Sequence, residues 1–215
     1  MTSREVIKRA IDCILASIGL VILSPVIGLV ALIILATAGR PVFYRQVRPG
    51  RNQEPFVIIK FRTMRAPVAG ESAVQSDHAR LTRLGRWLRK TSLDELPELW
   101  SVLKGDMSLV GPRPLLMEYL PYFTPRERRR FFMRPGVTGR AQVNGRNHTS
   151  WAQRFEDDVF YVEHWSLRMD FQILIRTLSA LVTCRDVAVD ARSIMRNLNE
   201  ERQASLPVDG VEVGG

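Results

Sequence analysis

Hydrophobic and polar positions follow two different rules along this chain. From Ile11 to Ala38 the one charged residue is Asp12, and the run Ile14–Ala38 is almost wholly apolar. As a helix, Ile11–Ala38 measures about 42 Å at ~1.5 Å per residue, against a bilayer core of about 30 Å. Ser24-Pro25 falls near the middle of the run. A proline there removes a helical hydrogen bond and clashes with the preceding turn, which predicts a kink or a break. Ala36-Thr37-Ala38 imitates a signal-peptidase site, but the run far exceeds the roughly 7–15 apolar residues of a secretory signal. Arg4, Lys8 and Arg9 precede it, and Arg40, Arg45, Arg48 and Arg51 follow. Basic flanks are retained on the cytoplasmic face of a membrane. A helix that enters, breaks at Ser24-Pro25 and returns keeps both flanks there, whereas a kinked single span keeps one. The pattern alone leaves both arrangements open.

After Arg40 the periods shorten and mix. Pro41–Gln46 and Phe56–Phe61 are β-rich runs separated by Arg48-Pro49-Gly50-Arg51-Asn52, the pattern of a hairpin. Ala66–Ser76 reads as a loop, and Asp77–Lys90 as a helix with Leu81, Leu84 and Leu88 on one face. A further helix is predicted from about Pro97 to Lys104, stopped by Gly105. Thr124-Pro125-Arg126-Glu127 combines a capping box with proline in the first turn. The segment it opens carries Arg128–Arg130 and Phe131-Phe132, which suits either a helix in a membrane interface or a solvated cationic face over two core phenylalanines. Ser150 caps a helix to about Trp165. Leu167–Thr183 is apolar but interrupted by Arg168, Asp170, Gln172 and Arg176, so it is expected to be buried or interfacial rather than spanning. The fold class is therefore mainly α with a small β-hairpin, α+β.

Composition adds a charge. Among 215 residues, 31 are Lys or Arg against 22 Asp or Glu, a formal net charge of +9, and all but Lys8, Lys60, Lys90 and Lys104 of the basic residues are arginine. Seven of the nine net charges fall between Met1 and Arg65. Such an excess calls for an anionic partner: nucleic acid, an anionic membrane surface or a phosphorylated substrate. The two cysteines, Cys13 and Cys184, build no disulfide framework, and His78, His148 and His164 lack metal-site spacing.

The stretch Thr91-Ser92-Leu93-Asp94-Glu95-Leu96-Pro97 carries the most chemistry. Ser92 and Glu95 form a capping-box pattern, which sets adjacent carboxylates at a helix N-terminus. Locally, Glu95 caps and Asp94 is solvated. The surroundings argue for more: Arg86, Arg89, Lys90, Lys104 and Arg113 lie nearby in sequence, with Lys60 and Arg62 within reach of the fold. Carboxylates with arginines and Mg²⁺ make a site for phosphoryl groups, since the cations spread phosphate charge and a carboxylate can attack phosphorus.

Lys60-Phe61-Arg62-Thr63-Met64, Arg89-Lys90-Thr91-Ser92-Leu93-Asp94-Glu95-Leu96-Pro97 and Gly105-Asp106-Met107-Ser108-Leu109-Val110-Gly111-Pro112-Arg113-Pro114 resemble the bacterial sugar transferase family. More narrowly they resemble its small monotopic phosphoglycosyl transferases, which begin glycan assembly on undecaprenyl phosphate. Arg134–Gly139, Gln142–Asn147 and Tyr161–Leu167 extend the likeness, which covers roughly Lys8 to Thr183.

The resemblance implies a monotopic membrane protein with a re-entrant helix broken at Ser24 and Pro25, interfacial amphipathic helices, and Lys8 as a basic anchor. It divides the chain into a membrane anchor (1–40), a cytoplasmic catalytic domain (41–186) and a C-terminal tail (187–215). Asp94 matches the nucleophile that takes a phosphosugar from a UDP-sugar and expels UMP. Glu95 matches the neighbouring acid, the two together holding Mg²⁺. Arg113, between Pro112 and Pro114, matches a phosphate-binding arginine; Lys60, Arg62, Arg89 and Arg146 match cationic positions around it. The implied partners are the UDP-sugar, undecaprenyl phosphate and anionic phospholipids at the bacterial inner membrane, with a homodimer compatible and nucleic acid not expected. A nucleic-acid-binding module, which leaves the Ser24-Pro25 segment and the Asp94-Glu95 pair unexplained, and a non-catalytic membrane scaffold, which would tolerate Asp94→Ala, are the competing classes.

Overall fold

A computed structural model describes residues 2–65, 80–145, 150–183 and 197–204. The expected loop 66–76, the start of the helix from Asp77, and Arg146 lie outside the described residues.

Helix α1 runs from Ser3 to Ala38. Its start is a capping box, with Thr2 Oγ1 accepting from Glu5 N and Glu5 Oε2 accepting from Thr2 N. Against the expected break at Ser24-Pro25, the helix continues through Pro25, and Ser24 Oγ donates to Val21 O at 2.8 Å, the carbonyl the proline leaves without its helical partner. By length and composition α1 can cross a membrane. One side of it is packed. Ala16 sits with Phe56, Ile58, Val102 and Met107, and Val30 and Ile34 sit with Phe61 and Leu88. Its other side exposes Ile14, Val21, Ile22, Leu29 and Leu32, a contiguous apolar face of the kind that marks a membrane or partner contact.

The hairpin forms as expected, with β1 (Phe43–Pro49) antiparallel to β2 (Pro55–Phe61) and Phe43 opposite Phe61. A 3-10 turn, Arg51–Gln53, joins them. Helix α2 is shorter than its pattern predicts, Arg83–Thr91. Leu81 instead bridges Met64, and Thr82 Oγ1 accepts from Gly85 N as the N-cap. Helix α3 (Glu98–Lys104) ends at Gly105, whose φ of 93° suits a residue without Cβ. Strands β3 (Ser108–Val110) and β4 (Gly136–Thr138) then pair in parallel, a contact across the chain that local pattern does not reveal. The crossing is tight: a Cβ on Gly136 would lie 2.1 Å from Gly111 N.

The capping box at Thr124–Glu127 is made, but it opens a 3-10 segment, Glu127–Phe132, and not an α-helix. Its cations face protein: Arg126 pairs with Glu156, Arg129 with Glu163, and Arg128 donates to Gln53 and Leu120. Phe131 is buried in the core with Tyr119, Phe123, Trp151, Phe155 and Leu198, while Phe132 is exposed. Helix α4 (Arg140–Asn144) precedes α5 (Trp151–Glu163), capped by Ser150, and α6 (Leu167–Thr183). Helix α6 divides its faces, burying Asp170 and Ile173 and exposing Phe171, Ile175 and Leu178. The tail contributes α7 (Leu198–Ala204), held by buried Leu198 and by Arg202 on Glu127.

Both ends of α1 are tied to this one body. At the first, Lys8 Nζ meets Asp170 Oδ2 at 2.7 Å, and Arg9 donates to the carbonyls of Val102 and Leu103. Asp12 accepts from Ser108 Oγ and Leu109 N. At the other, the Arg62 guanidinium donates to the carbonyls of Ala38, Gly39 and Arg40, capping the helix C-terminus. A cation there also complements the negative end of the helix dipole.

Candidate active site

Asp94 and Glu95 stand on a single 3-10 turn, Leu93–Glu95, between α2 and α3. Ser92 stands at the N-cap position its spacing predicts, but the capping box is not made. It is also the left-handed C-cap of α2, φ 56°, and its side chain makes no cap bond to the turn. Glu95 is therefore free of capping, and its side chain turns to the cations. Glu95 Oε1 accepts from Lys60 Nζ at 2.6 Å and from Arg113 Nη2 at 2.6 Å. The turn thus joins the end of β2, which carries Lys60, to the Pro112–Pro114 loop after β3.

The two carboxylates differ in kind. Burial opposes the charge on Glu95, but Arg113 and Lys60 overcome it and hold its pKa well below the usual range. In return the Glu95 charge raises the pKa of Arg113. Asp94 is 8% exposed and makes no side-chain hydrogen bond or ion pair to the described residues. Burial and then the Glu95 charge raise its pKa, while Lys60, Arg89 and Arg113 pull it back. Asp94 is thus a carboxylate under the field of three cations, beside a neighbour whose Oε1 accepts from two of them, and a carboxylate so placed can act as a nucleophile.

Sequence spacing missed a third carboxylate. Glu98, in the first turn of α3, is 2% exposed with its Oε1 3.0 Å from Lys60 Nζ. That contact lacks hydrogen-bond geometry, so Oε1 has no donor, and burial pushes the Glu98 pKa up to about 7 in spite of Lys60. The signal was available: Glu98 follows Asp94 by four positions and Glu95 by three, one helical turn.

Arg130 and Asp158 were also missed, and for them no local signal exists. Their buried pair closes at 2.7 Å, and Arg130 Nη2 donates to Arg113 O at 2.7 Å, which fixes the backbone that presents Arg113. Pro112 O accepts from Gly136 N, and Pro114 O is 3.5 Å from Arg48 Nη1, so both prolines frame the same loop.

The remaining sequence-predicted residues are placed as follows. Arg89 Nε donates to Thr63 Oγ1 at 3.1 Å, and its charge bears on Asp94. Arg62 is engaged at the end of α1, Lys8 is paired with Asp170, and Ser24 and Pro25 lie within α1. Arg146 is outside the described residues. For Mg²⁺, the donor set fits: Asp94 is bare and Glu95 Oε2 accepts no bond among the described residues, while Mg²⁺ asks for one or two carboxylates and takes its other ligands from phosphate and water. Among the described residues no group of three His, Cys, Asp or Glu gathers as an all-protein metal cage.

A family model described as bacterial sugar transferase matches residues 3–184. The chain belongs to the bacterial sugar transferase family. It is accordingly an enzyme, a transferase. Its relatives include the uncharacterised sugar transferase EpsL of Bacillus subtilis, 45% identical over 85% of this chain and 90% of that protein. The UDP-glucose:undecaprenyl-phosphate glucose-1-phosphate transferase of Caulobacter vibrioides is 40% identical over 82% of this chain and 70% of that one. The exopolysaccharide production protein ExoY of Sinorhizobium fredii is 36% identical over 83% and 86%. The family, with the long apolar α1, makes this sugar transferase a membrane-associated protein. Neither a nucleic-acid-binding module nor a non-catalytic scaffold gains support from these relatives.

Proposed function

We propose that this sugar transferase moves a sugar-1-phosphate from a UDP-sugar to undecaprenyl phosphate in two steps. Asp94 attacks the β-phosphorus of the donor; the P–O bond to the α-phosphate breaks, UMP leaves, and the sugar phosphate stays on Asp94 as an acyl phosphate. A phosphate oxygen of the lipid then attacks the same phosphorus, restoring the Asp94 carboxylate and giving the polyprenyl diphosphosugar. The carrying observation is the contrast between bare Asp94 and twice-bonded Glu95. Glu95 keeps Lys60 and Arg113 aimed at the site, and Arg113, with its side chain 41% exposed, is the cation able to turn to a phosphate. When bound to Asp94 and Glu95, Mg²⁺ supplies further neutralisation of diphosphate charge. The relatives support the reading, since those of Caulobacter vibrioides and Klebsiella pneumoniae are both named UDP-glucose:undecaprenyl-phosphate glucose-1-phosphate transferases.

The same reading places α1 as a re-entrant anchor in the bacterial cytoplasmic membrane, with the site at the inner headgroup surface. What supports it is that Lys8 and Arg9 at one end and Ala38–Arg40 at the other bind a single folded body. A perpendicular span would put those ends on opposite faces, with the body on only one. Anionic headgroups suit the Arg4–Arg9 and Arg40–Arg51 flanks.

The test is to incubate the full chain with Mg²⁺, undecaprenyl phosphate and UDP-glucose, UDP-galactose and N-acetylated UDP-sugars, and to follow UMP. One donor should release UMP, and Asp94→Asn should abolish release. Turnover retained in Asp94→Asn overturns the nucleophile assignment. Thiol labelling at positions 2 and 40 should find one face of the membrane; opposite faces overturn the re-entrant anchor.

A further inference from the structure

Glu98 lies in the first turn of α3, with its side chain 2% exposed and its Oε1 3.0 Å from Lys60 Nζ. The approach is that of an ion pair, yet Glu98 Oε1 receives no hydrogen bond. Lys60 donates instead to Glu95 Oε1 at 2.6 Å. An ammonium carries three hydrogens that turn about the Cε–Nζ bond, and Glu95 Oε1 takes one of them. A turn of that group brings a second hydrogen onto Glu98 while Nζ stays where it is. A buried acceptor left unmatched is costly, which favours that bond. Burial opposes the Lys60 charge, but Glu95 and Glu98 together overcome it and raise its pKa.

The two carboxylates hold Lys60 from unlike supports. Glu95 stands on a short 3-10 turn, and its Oε1 is shared with Arg113, 2.6 Å away. Glu98 stands on α3, whose Val102 is buried with Ala16 of α1 and with Phe56 and Ile58 of β2. Lys60 itself comes from β2. Glu98 and Lys60 are therefore carried by elements that share one packed core, and their contact does not rely on the Glu95 side chain. An incoming diphosphate competes with Glu95 for both Lys60 and Arg113, since all of these bonds are charge-assisted. Glu98 is enclosed, and its oxygen remains for Lys60 when Glu95 yields.

We propose that Glu98 is a positioning residue, the buried hold that keeps the Lys60 ammonium at the Asp94-Glu95 turn while substrate phosphate competes with Glu95 for it. What the hold requires at position 98 is an acceptor oxygen, charged or neutral. This rests on the reading of Asp94 as nucleophile and adds to it a residue that acts only through Lys60.

The kinetic experiment follows UMP release by the full chain in detergent, with Mg²⁺, undecaprenyl phosphate and the accepted UDP-sugar. Glu98→Leu removes the acceptor and should lower kcat at least about tenfold, the worth of one charge-assisted hydrogen bond, with KM for the donor within about threefold. Glu98→Gln keeps an acceptor oxygen and should bring kcat back to within about threefold of wild type. In Lys60→Met, adding Glu98→Leu should slow turnover by less than about twofold more, because the hold has nothing left to act on. Glu98→Met, which also lacks the acceptor, carries the same comparisons where Glu98→Leu fails to fold. Glu98→Gln as slow as Glu98→Leu, or an undiminished effect of Glu98→Leu in Lys60→Met, overturns the positioning role.

The hold is also read without turnover. The chain has four lysines, so the Lys60 ammonium resonance is identified by its loss in Lys60→Met. With inorganic phosphate present as competitor, that resonance should persist in wild type and Glu98→Gln and be lost to exchange with water in Glu98→Leu. Its loss in wild type, or its persistence in Glu98→Leu, overturns the hold. Absence of UMP release from every donor removes the proposed function, and the ammonium resonance alone then decides whether Glu98 holds Lys60.

Discussion

Severing Lys8 from Asp170 should loosen α1 from the rest of the fold, and the structure sets the size of the effect. Both side chains are 10% exposed and meet at 2.7 Å. Asp170 also accepts from Tyr161 Oη at 2.6 Å and Trp165 Nε1 at 3.0 Å. Removing one partner of a buried ion pair typically costs about 3–5 kcal/mol, because the other charge is left uncompensated. Lys8→Met keeps the apolar stem and deletes the ammonium, and the two remaining neutral donors soften the loss, so about 3 kcal/mol is expected. Asp170→Asn should cost somewhat less, about 2–3 kcal/mol, since Lys8 retains the field of Asp12 one turn along α1. Lys8→Met/Asp170→Asn should be less harmful than the sum by at least about 1 kcal/mol. The assay is thermal unfolding in detergent at pH 7. A chain of this size loses roughly 2–4 °C per kcal/mol, so Lys8→Met should unfold about 6–12 °C lower. Single variants within about 2 °C of wild type, with an additive double, would refute the argument that this pair fastens the helix.

Glu98 makes stability depend on pH. Its folded pKa of about 7 stands above the ordinary 4.5, so between those values the folded chain holds a proton that the unfolded chain has lost. Glu98 therefore contributes a fall in stability as pH rises through that window, and Glu98→Gln should make the fall shallower. Denaturant titrations at pH 5 and pH 8 compare the two, and identical pH dependence would count against a raised Glu98. Gly136→Ala forces a Cβ to within 2.1 Å of Gly111 N, prising β3 from β4 just ahead of the Pro112–Pro114 loop. A loss of about 2–4 kcal/mol and a more than tenfold drop in UMP release are expected; an unchanged midpoint in denaturant would show that the strands yield without cost.

The long apolar run, the hairpin from Phe43 to Phe61, the stop at Gly105 and the capping of α5 by Ser150 were legible because each depends on neighbours in sequence. The Asp94-Glu95 pair was legible for the same reason, as two carboxylates in one turn with cations on either side. Where local pattern misled, tertiary contact had overridden it. Ser92 and Glu95 have capping-box spacing, yet Glu95 gains two charge-assisted bonds from Lys60 and Arg113, each stronger than a neutral cap bond. Arg62 sits in a basic motif, yet three carbonyls left open at the end of α1 claim it.

Residue type and spacing thus indicated the helical character of the chain, its long apolar first helix and a pair of adjacent carboxylates among cations. Only the tertiary structure decided which carboxylate is bare and which is held, because the deciding cations come from β2 and from the loop after β3. It alone paired Arg130 with Asp158, separated by 28 positions, and Lys8 with Asp170, separated by 162. Burial is the physical reason: a charge removed from water must find its partner wherever the fold brings one.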